Sequence, residues 1–179
     1  MDETKQDAPS AERQRFVIGD PFARLKFPRE TGARSYVHES YFYVTDTPGD
    51  ALDPISTLSR AFRCEVRPGD EITISTGEMD LRYRSLPFKD QVETAGAVAA
   101  SICFLMRSLQ QRYPTFSWVF SSLRPDDEFD QFYSKERLAY PHAVRTPSVS
   151  TPKALDALRR MVNTLVEHEL SDTPITISS

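Results

Sequence analysis

Several features that mark well-known classes of protein are scarce in this 179-residue chain. Its two cysteines, Cys64 and Cys103, show neither the C-x-x-C spacing nor any other spacing of a metal site. Isolated cysteines of this kind are typical of small buried hydrophobes in a reducing compartment. We therefore expect no metal site and a cytoplasmic location.

The signatures of phosphate binding and of common catalytic sites are also missing. The chain contains no GxxxxGK(S/T), GxGxxG, HExxH or GxSxG sequence. Its six glycines leave little room for a phosphate-binding loop, and the spacing of its three histidines does not indicate a catalytic pair. The sequence therefore identifies no catalytic residue and implies no cofactor, which favours a protein that is not an enzyme.

Charge and hydropathy do not indicate nucleic acid or a membrane as a partner. The formal net charge is -4, and most of it comes from residues 1–12, MDETKQDAPSAE, so the remainder is nearly neutral. Nucleic-acid binding usually needs a basic face. No stretch approaches the roughly 20 apolar residues of a membrane span, and the polar start of the chain does not resemble a signal or transit peptide.

The length suits one domain. We interpret residues 1–12 as a disordered tail, 13–172 as a single α+β domain, and 173–179 as a C-terminal tail or short edge strand. Aromatic and β-branched runs predict strands at RQRFVIG, ARLKF, 34–46, 62–67, 71–75, 80–86 and TFSWVFSS. Polar and apolar residues alternate from 62 to 86, which predicts antiparallel strands with one buried and one wet face.

Four helices are expected. Asp53 before Pro54 is a good helix start and predicts a short helix at about 54–60. The segment 90–113 contains TAGAVAASICFLM, which is apolar all round and therefore predicts a buried central helix. A proline and a cluster of acids predict the start of a third, aromatic helix at 126–138, and a fourth, amphipathic helix begins at Thr151–Pro152. Together these elements predict a mainly antiparallel sheet of about five to seven strands packed against the central and C-terminal helices.

The first candidate site is a set of arginines on the predicted sheet. If 62–67 and 80–86 are strands with aligned apolar faces, one solvent-facing surface would carry Arg63, Arg67, Arg82 and Arg84. Guanidinium groups there could bind a phosphate or a carboxylate. The alternative is an ordinary solvated face neutralised by Glu65 and Glu71.

Two further candidates are an aromatic segment and an acidic one. YVHESYFYV places His38, Tyr41 and Tyr43 where they could line a site, although His38 and Glu39 point to opposite faces of a strand and cannot form a dyad. The acidic segment comprises Asp126, Asp127, Glu128 and Asp130. It lacks the glycine and spacing of an EF-hand, so it indicates either a helix N-terminus or an acidic surface for a partner.

These features favour a small cytoplasmic binding or regulatory protein of the immunity, adaptor or chaperone-like kind, acting by contact with a protein partner. A homodimer formed through a sheet edge or the aromatic segment 126–138 is consistent with the same pattern. The alternative is an enzyme or ligand-binding domain for a small anionic compound, held by the arginines under the loop 140–152. Local nucleic-acid binding by those arginines is a weaker alternative.

Overall fold

The computed structural model describes residues 13–20, 23, 27, 35–39, 43–46, 52–83, 91–123 and 152–178. Within these residues there are five strands: β1 (Arg15–Gly19), β2 (Ser35–Glu39), β3 (Glu71–Ser75), β4 (Ser117–Ser121) and β5 (Thr176–Ser178). The described helices are α1 (Pro54–Phe62), α2 (Glu78–Tyr83), α3 (Gln91–Arg112) and α4 (Pro152–Leu170).

The five strands form one sheet in the order β2-β1-β3-β4-β5, and every neighbouring pair is parallel. The prediction of a mainly antiparallel sheet is therefore wrong. Its premise was that alternating polar residues mark a wet face, but Thr73 is only 6% exposed and Ser75 only 8%. Parallel sheets are normally covered on both faces, and small hydroxyl side chains can be buried there.

The two faces of the sheet differ in side-chain size. The face that we call the core face carries large residues that are at most 1% exposed: Phe16, Ile18, Ile72, Ile74, Trp118 and Phe120. Helices α1, α3 and α4 contribute side chains to the same hydrophobic cluster, so they cover this face. The buried side chains of the opposite face are smaller: Val17, Thr73, Ser75, Val119 and Ser121. Arg15 and Glu71 lie at the amino end of that face, and Ala23 approaches it closely beside Gly19.

Three predicted strands are wrong for identifiable reasons. Residues 62–67 are the end of α1 and an irregular connection, and residues 78–83 are helix α2. In the predicted strand ARLKF, Ala23 is helical and Phe27 lies in a bend. Period-two alternation over so few residues does not separate a strand from a short helix or a loop, and parallel strands require such crossover segments between them.

Three of the four predicted helices are confirmed, and the one predicted at 126–138 lies outside the described residues. The Asp53 side chain accepts a hydrogen bond from the Ser56 amide, and Pro54 begins α1. Helix α3 spans Gln91–Arg112 and α4 spans Pro152–Leu170. The C-terminal segment contains the edge strand β5, one of the two forms expected for it.

Helix α3 is the spine of the core. Val98, Ile102 and Met106 are completely buried, and α3 packs extensively along α4. Within the described parts of the chain, Val92–Arg112 is the only helix long and apolar enough to cross a membrane by length and composition. The core helix of a soluble domain meets the same criterion, and the burial of these side chains within the protein agrees with that role.

Candidate functional site

All five strands end at the same edge of the sheet because they are parallel. The pairing register aligns their last residues in one row, in the order Glu39, Gly19, Ser75, Ser121 and Ser178. β2, which follows β1 in the chain, lies on one side of β1 in the sheet, and β3, which comes next, lies on the other side. Ligands of open α/β sheets bind outside the carboxyl ends of the strands at such a topological switch point. We call this region the carboxyl edge.

The ends of β1 and β3 are in close contact at the switch point. A Cβ atom on Gly19 would lie 2.2 Å from the Ser75 carbonyl oxygen, so no larger residue fits there. The Asp20 amide donates a hydrogen bond to the same oxygen at 2.9 Å. The Asp20 side chain, 1% exposed, accepts a hydrogen bond from the Met79 amide at 3.3 Å. Asp20 therefore joins the first strand to the start of α2.

A buried ion pair closes one side of the carboxyl edge. Glu78 is 4% exposed and Arg159, from α4, is fully buried. The guanidinium group donates to both carboxylate oxygens, with Nε 3.0 Å from Oε2 and Nη2 2.5 Å from Oε1. Its Nη1 atom also donates to Asp156 at 2.8 Å. The Nε, Nη1 and Nη2 atoms of Arg159 thus each donate to a carboxylate of the protein itself.

A second carboxylate holds the turn that follows β2. The fully buried Asp80 accepts hydrogen bonds from the amides of Val44 and Thr45 at 2.9 and 3.0 Å, and from the Thr45 hydroxyl at 2.5 Å. Tyr43, the residue before this turn, is half-buried. Asp80 therefore fixes the chain around Tyr43 beside the carboxyl ends of the strands.

Two hydroxyl groups at this edge lack a hydrogen-bond partner among the residues that the structure describes. Thr76 and Ser121 are each 1% exposed, and neither Thr76 Oγ1 nor Ser121 Oγ has a partner there. Ser121 alternates along β4 with the core residues Trp118 and Phe120, so it lies on the opposite face. Thr76 lies between Ser75 and Gly77, a glycine with φ of +109°. A buried hydroxyl without a partner costs free energy, so a further polar group beside either atom would be stabilising.

The buried polar residues of the described chain concentrate at this edge. They include Asp20, Ser75, Thr76, Glu78, Asp80, Ser121, Ser122 and Arg159. Carboxylates and hydroxyls predominate, and the guanidinium group among them is already paired. No group of three or more His, Cys, Asp or Glu residues in the described part of the chain is arranged to hold a metal ion.

The predicted arginine set is not brought together. Arg63 is the left-handed C-cap residue of α1 and Arg67 lies in the connection to β3, both exposed and both at the amino edge of the sheet. Arg82 belongs to α2, which follows the carboxyl end of β3. Arg84 lies outside the described residues. Because the two predicted strands do not exist, these residues do not share a sheet face.

The remaining predicted residues have mixed outcomes. His38 lies in β2 on the core side, with its ring 6.3 Å from that of Phe62 and edge-on to it. That contact is typical of an ordinary strand residue that packs beside the core. Tyr43 lies near the carboxyl edge, as described above. Tyr41, the acidic segment Asp126, Asp127, Glu128 and Asp130, and the loop 140–152 are outside the described residues.

Sequence reasoning missed Asp20, Thr76, Glu78, Asp80 and Ser121. A signal for them exists: three short apolar strands are each followed at once by small or acidic residues, in FVIGD, ITISTGE and WVFSS. That pattern is typical of parallel strands that end at a polar edge. In an antiparallel sheet the same residues would serve as turn residues, so the expected topology gave no reason to group them.

No family model matches this chain, and no curated protein matches it in sequence.

Proposed function

We propose that this protein is a cytoplasmic small-molecule-binding domain whose ligand binds at the carboxyl edge, outside the ends of β1, β3 and β4. One observation carries the proposal: Thr76 Oγ1 and Ser121 Oγ, at the ends of β3 and β4 beside a topological switch point, are buried and have no hydrogen-bond partner within the described residues. The proposal keeps the ligand-binding alternative that the sequence favoured second, with different residues in place of the arginines.

Two features of the fold support this function. The large core face and α3 form a rigid support, since six core-face side chains are at most 1% exposed. Against that support, Asp20, Glu78 and Asp80 are each held by hydrogen bonds from the protein. Sites that bind small molecules usually combine a rigid apolar surround with a few oriented polar groups.

The test is a thermal-shift screen of the purified protein against common metabolites of varied charge. The wild type is compared with the double variant Thr76→Val, Ser121→Ala, which removes the Thr76 and Ser121 hydroxyls with little change in side-chain shape. We expect at least one compound to raise the unfolding midpoint of the wild type more than that of the double variant. Equal shifts for both proteins with every compound would contradict the proposal.

Contact with a protein partner is a second candidate, favoured by a different observation. Phe104 on α3 is 60% exposed and Leu165 on α4 is 38% exposed. Arg107, one turn after Phe104, bonds Glu169, one turn after Leu165, so the two apolar side chains lie on adjoining surfaces of the paired helices. The variant Phe104→Ser tests this candidate. Loss of a homodimer in light scattering, or loss of a captured partner protein, would support it, whereas an unchanged assembly would contradict it.

A further inference from the structure

One side of helix α3 faces solvent, and we call it the outer face. Its residues are spaced three or four positions apart and therefore lie on one side of the helix: Glu93, Gly96, Ala100, Phe104 and Arg107. All of them are exposed except Gly96, which is half-buried. The Phe104 side chain is 60% exposed, and aromatic side chains are enriched at the centres of protein interfaces.

We propose that the outer face binds a second copy of this chain, as an antiparallel pair of α3 helices with a two-fold axis at Ala100. This inference rests on the second candidate function, because it names the partner of the surface that carries Phe104. It is independent of the ligand at the carboxyl edge.

The outer face is complementary to itself in shape. In an antiparallel pair centred on Ala100, residues equally far from Ala100 on its two sides face each other. Gly96 lies four positions before Ala100 and Phe104 four positions after it, so each Phe104 faces the partner's Gly96. A Cβ atom on Gly96 would meet no described atom within 4 Å. The glycine therefore leaves room for the aromatic ring and lets the two helix backbones approach each other closely.

The outer face is also complementary to itself in charge, about the same centre. Glu93 lies seven positions before Ala100 and Arg107 seven positions after it, so each Glu93 faces the partner's Arg107. The Arg107 side chain is 50% exposed. It donates from Nη2 to Glu169 of its own chain at 3.2 Å, and a guanidinium group has five N–H donors, so a second carboxylate can bind beside the first.

Glu93 and Arg107 cannot pair within one chain. They are fourteen positions apart on α3, which is about 21 Å along a helix. A contact between them therefore requires two copies, and the two-fold axis makes it occur twice in each dimer.

The charges also select the direction of the pairing. In a parallel two-fold pair each residue would face its own copy, so Glu93 would oppose Glu93 and Arg107 would oppose Arg107, which is unfavourable. The antiparallel pair replaces these repulsions with attractions, and it also opposes the two helix macrodipoles. Because α3 runs from the end of β3 to the start of β4, this arrangement places the two carboxyl edges at opposite ends of the dimer.

The size of the contact predicts a weak dimer. Helix α3 has 22 residues, so it is about 33 Å long and about 10 Å wide. A helix pair of that size covers less than the roughly 800 Å² per partner of a standard stable interface. We therefore expect dissociation at low micromolar protein concentration, where measurements of folding stability report on the monomer.

The experiment is sedimentation equilibrium of the full chain from about 1 μM to about 1 mM, and the wild type should pass from monomer towards dimer across this range. Glu93→Arg and Arg107→Glu each place like charges at both symmetric contacts, so each should weaken the dimer about tenfold or more. An equimolar mixture of the two variants should recover a dimer within about threefold of the wild-type affinity. In the mixed dimer, the arginine introduced in one chain faces the glutamate introduced in the other.

Two further comparisons separate this contact from general effects of charge and of folding. Glu65→Arg and Arg67→Glu are the matched controls, because they change the net charge by the same amounts and break an exposed ion pair of 2.9 Å away from α3. Both should dimerise like the wild type. Gly96→Leu fills the space that the partner's Phe104 would occupy, so it should weaken the dimer while circular dichroism shows an intact fold.

Three results would overturn the proposal: a wild type that stays monomeric at the highest concentration, a dimer that neither charge variant weakens, or a mixture that associates no better than its components. A monomeric wild type leaves the second candidate function standing if a different protein is captured by the wild type and lost in Phe104→Ser. If that variant loses no partner either, the second candidate function is wrong together with the dimer.

Discussion

Arg159 and Glu78 form a bidentate ion pair in which the two side chains are 0% and 5% exposed. They are separated by 81 residues in the chain, so the pair joins α4 to the segment that follows β3. Pairs of this kind are costly to bury and very costly to break, because one partner is left as an uncompensated charge. The ion pair therefore ties the geometry of the carboxyl edge to the packing of α4.

Replacing Arg159 with Met should lower the free energy of unfolding by about 3–5 kcal/mol, since it leaves Glu78 buried without its cation. The double change Arg159→Met, Glu78→Leu should recover part of that loss, and urea denaturation measures both. The matched control is Arg67→Met. Arg67 pairs with Glu65 at 2.9 Å with side chains 53% and 72% exposed, so this change should cost less than about 1 kcal/mol. Similar losses at both arginines would contradict the interpretation.

Gly19→Ala should destabilise the protein by about 3 kcal/mol or more, because overpacking against fixed atoms is strongly unfavourable. The added Cβ atom would lie 2.2 Å from the Ser75 carbonyl oxygen and 2.9 Å from Ala23 Cβ. Gly96→Ala is the control, since a Cβ atom there meets nothing within 4 Å in the middle of α3. It should stabilise the protein by about 0.5–1 kcal/mol. The measurement is the denaturation midpoint of each variant, and a tolerated Gly19→Ala would mean that β1 and β3 are not in this contact.

Asp53 should make stability depend on pH in the acid range. Burial raises the pKa of this carboxyl, but hydrogen bonds from Ser56 and Tyr113 and the charge of Arg112 outweigh it and hold the pKa below its ordinary value. The folded state thus binds the proton more weakly than the unfolded chain, so stabilisation by Asp53 is present above an unfolded pKa of about 4 and is lost as pH falls through the folded value.

The variant Asp53→Asn tests that dependence. It removes the charge and keeps a side chain able to cap α1. The stability difference between wild type and variant should be present at neutral pH and should shrink in acid, as followed by chemical denaturation across the pH range. A difference that stays constant down to the lowest pH at which the protein folds would contradict the assignment.

The two cysteines should differ in reactivity. Burial raises the pKa of the Cys103 thiol to about 11, and the residue is 3% exposed. Little thiolate forms near neutral pH, and the thiolate is the reactive form. In the folded protein, iodoacetamide should therefore modify the half-buried Cys64 first, and Cys103 should react only after addition of denaturant. Peptide mass spectrometry locates the label, and rapid labelling of Cys103 in native buffer would contradict the burial.

The helices could be predicted because their signals are local. Asp53 and Pro54 cap and start α1 whatever else surrounds them. The continuous apolar character of 95–106 indicates burial of α3 without any knowledge of its neighbours. Strand direction has no such local signal, since a five-residue segment such as EITIS is compatible with parallel or antiparallel partners.

The candidate site was missed for the same reason. Asp20 and Thr76 are 56 positions apart in sequence, and they come together only because β1 and β3 are neighbours and parallel. The predicted grouping of Arg63 with Arg82 was wrong because it assumed that both residues lie in neighbouring strands. In the structure, Arg63 lies at the end of α1 and Arg82 lies in helix α2. A site built across several strands cannot be located until the strand order is known.

The sequence by itself determined the helices, the buried character of α3 and the existence of strands β1, β3 and β4, since capping and hydrophobic periodicity act over one or two turns of chain. Only the tertiary structure decided that the strands are parallel, that Arg159 belongs with Glu78, and that buried polar residues from distant segments gather at the carboxyl edge. The physical reason is that these relationships depend on which distant segments pack together, and the free energy of that packing is shared by the whole core and is not encoded in any one segment.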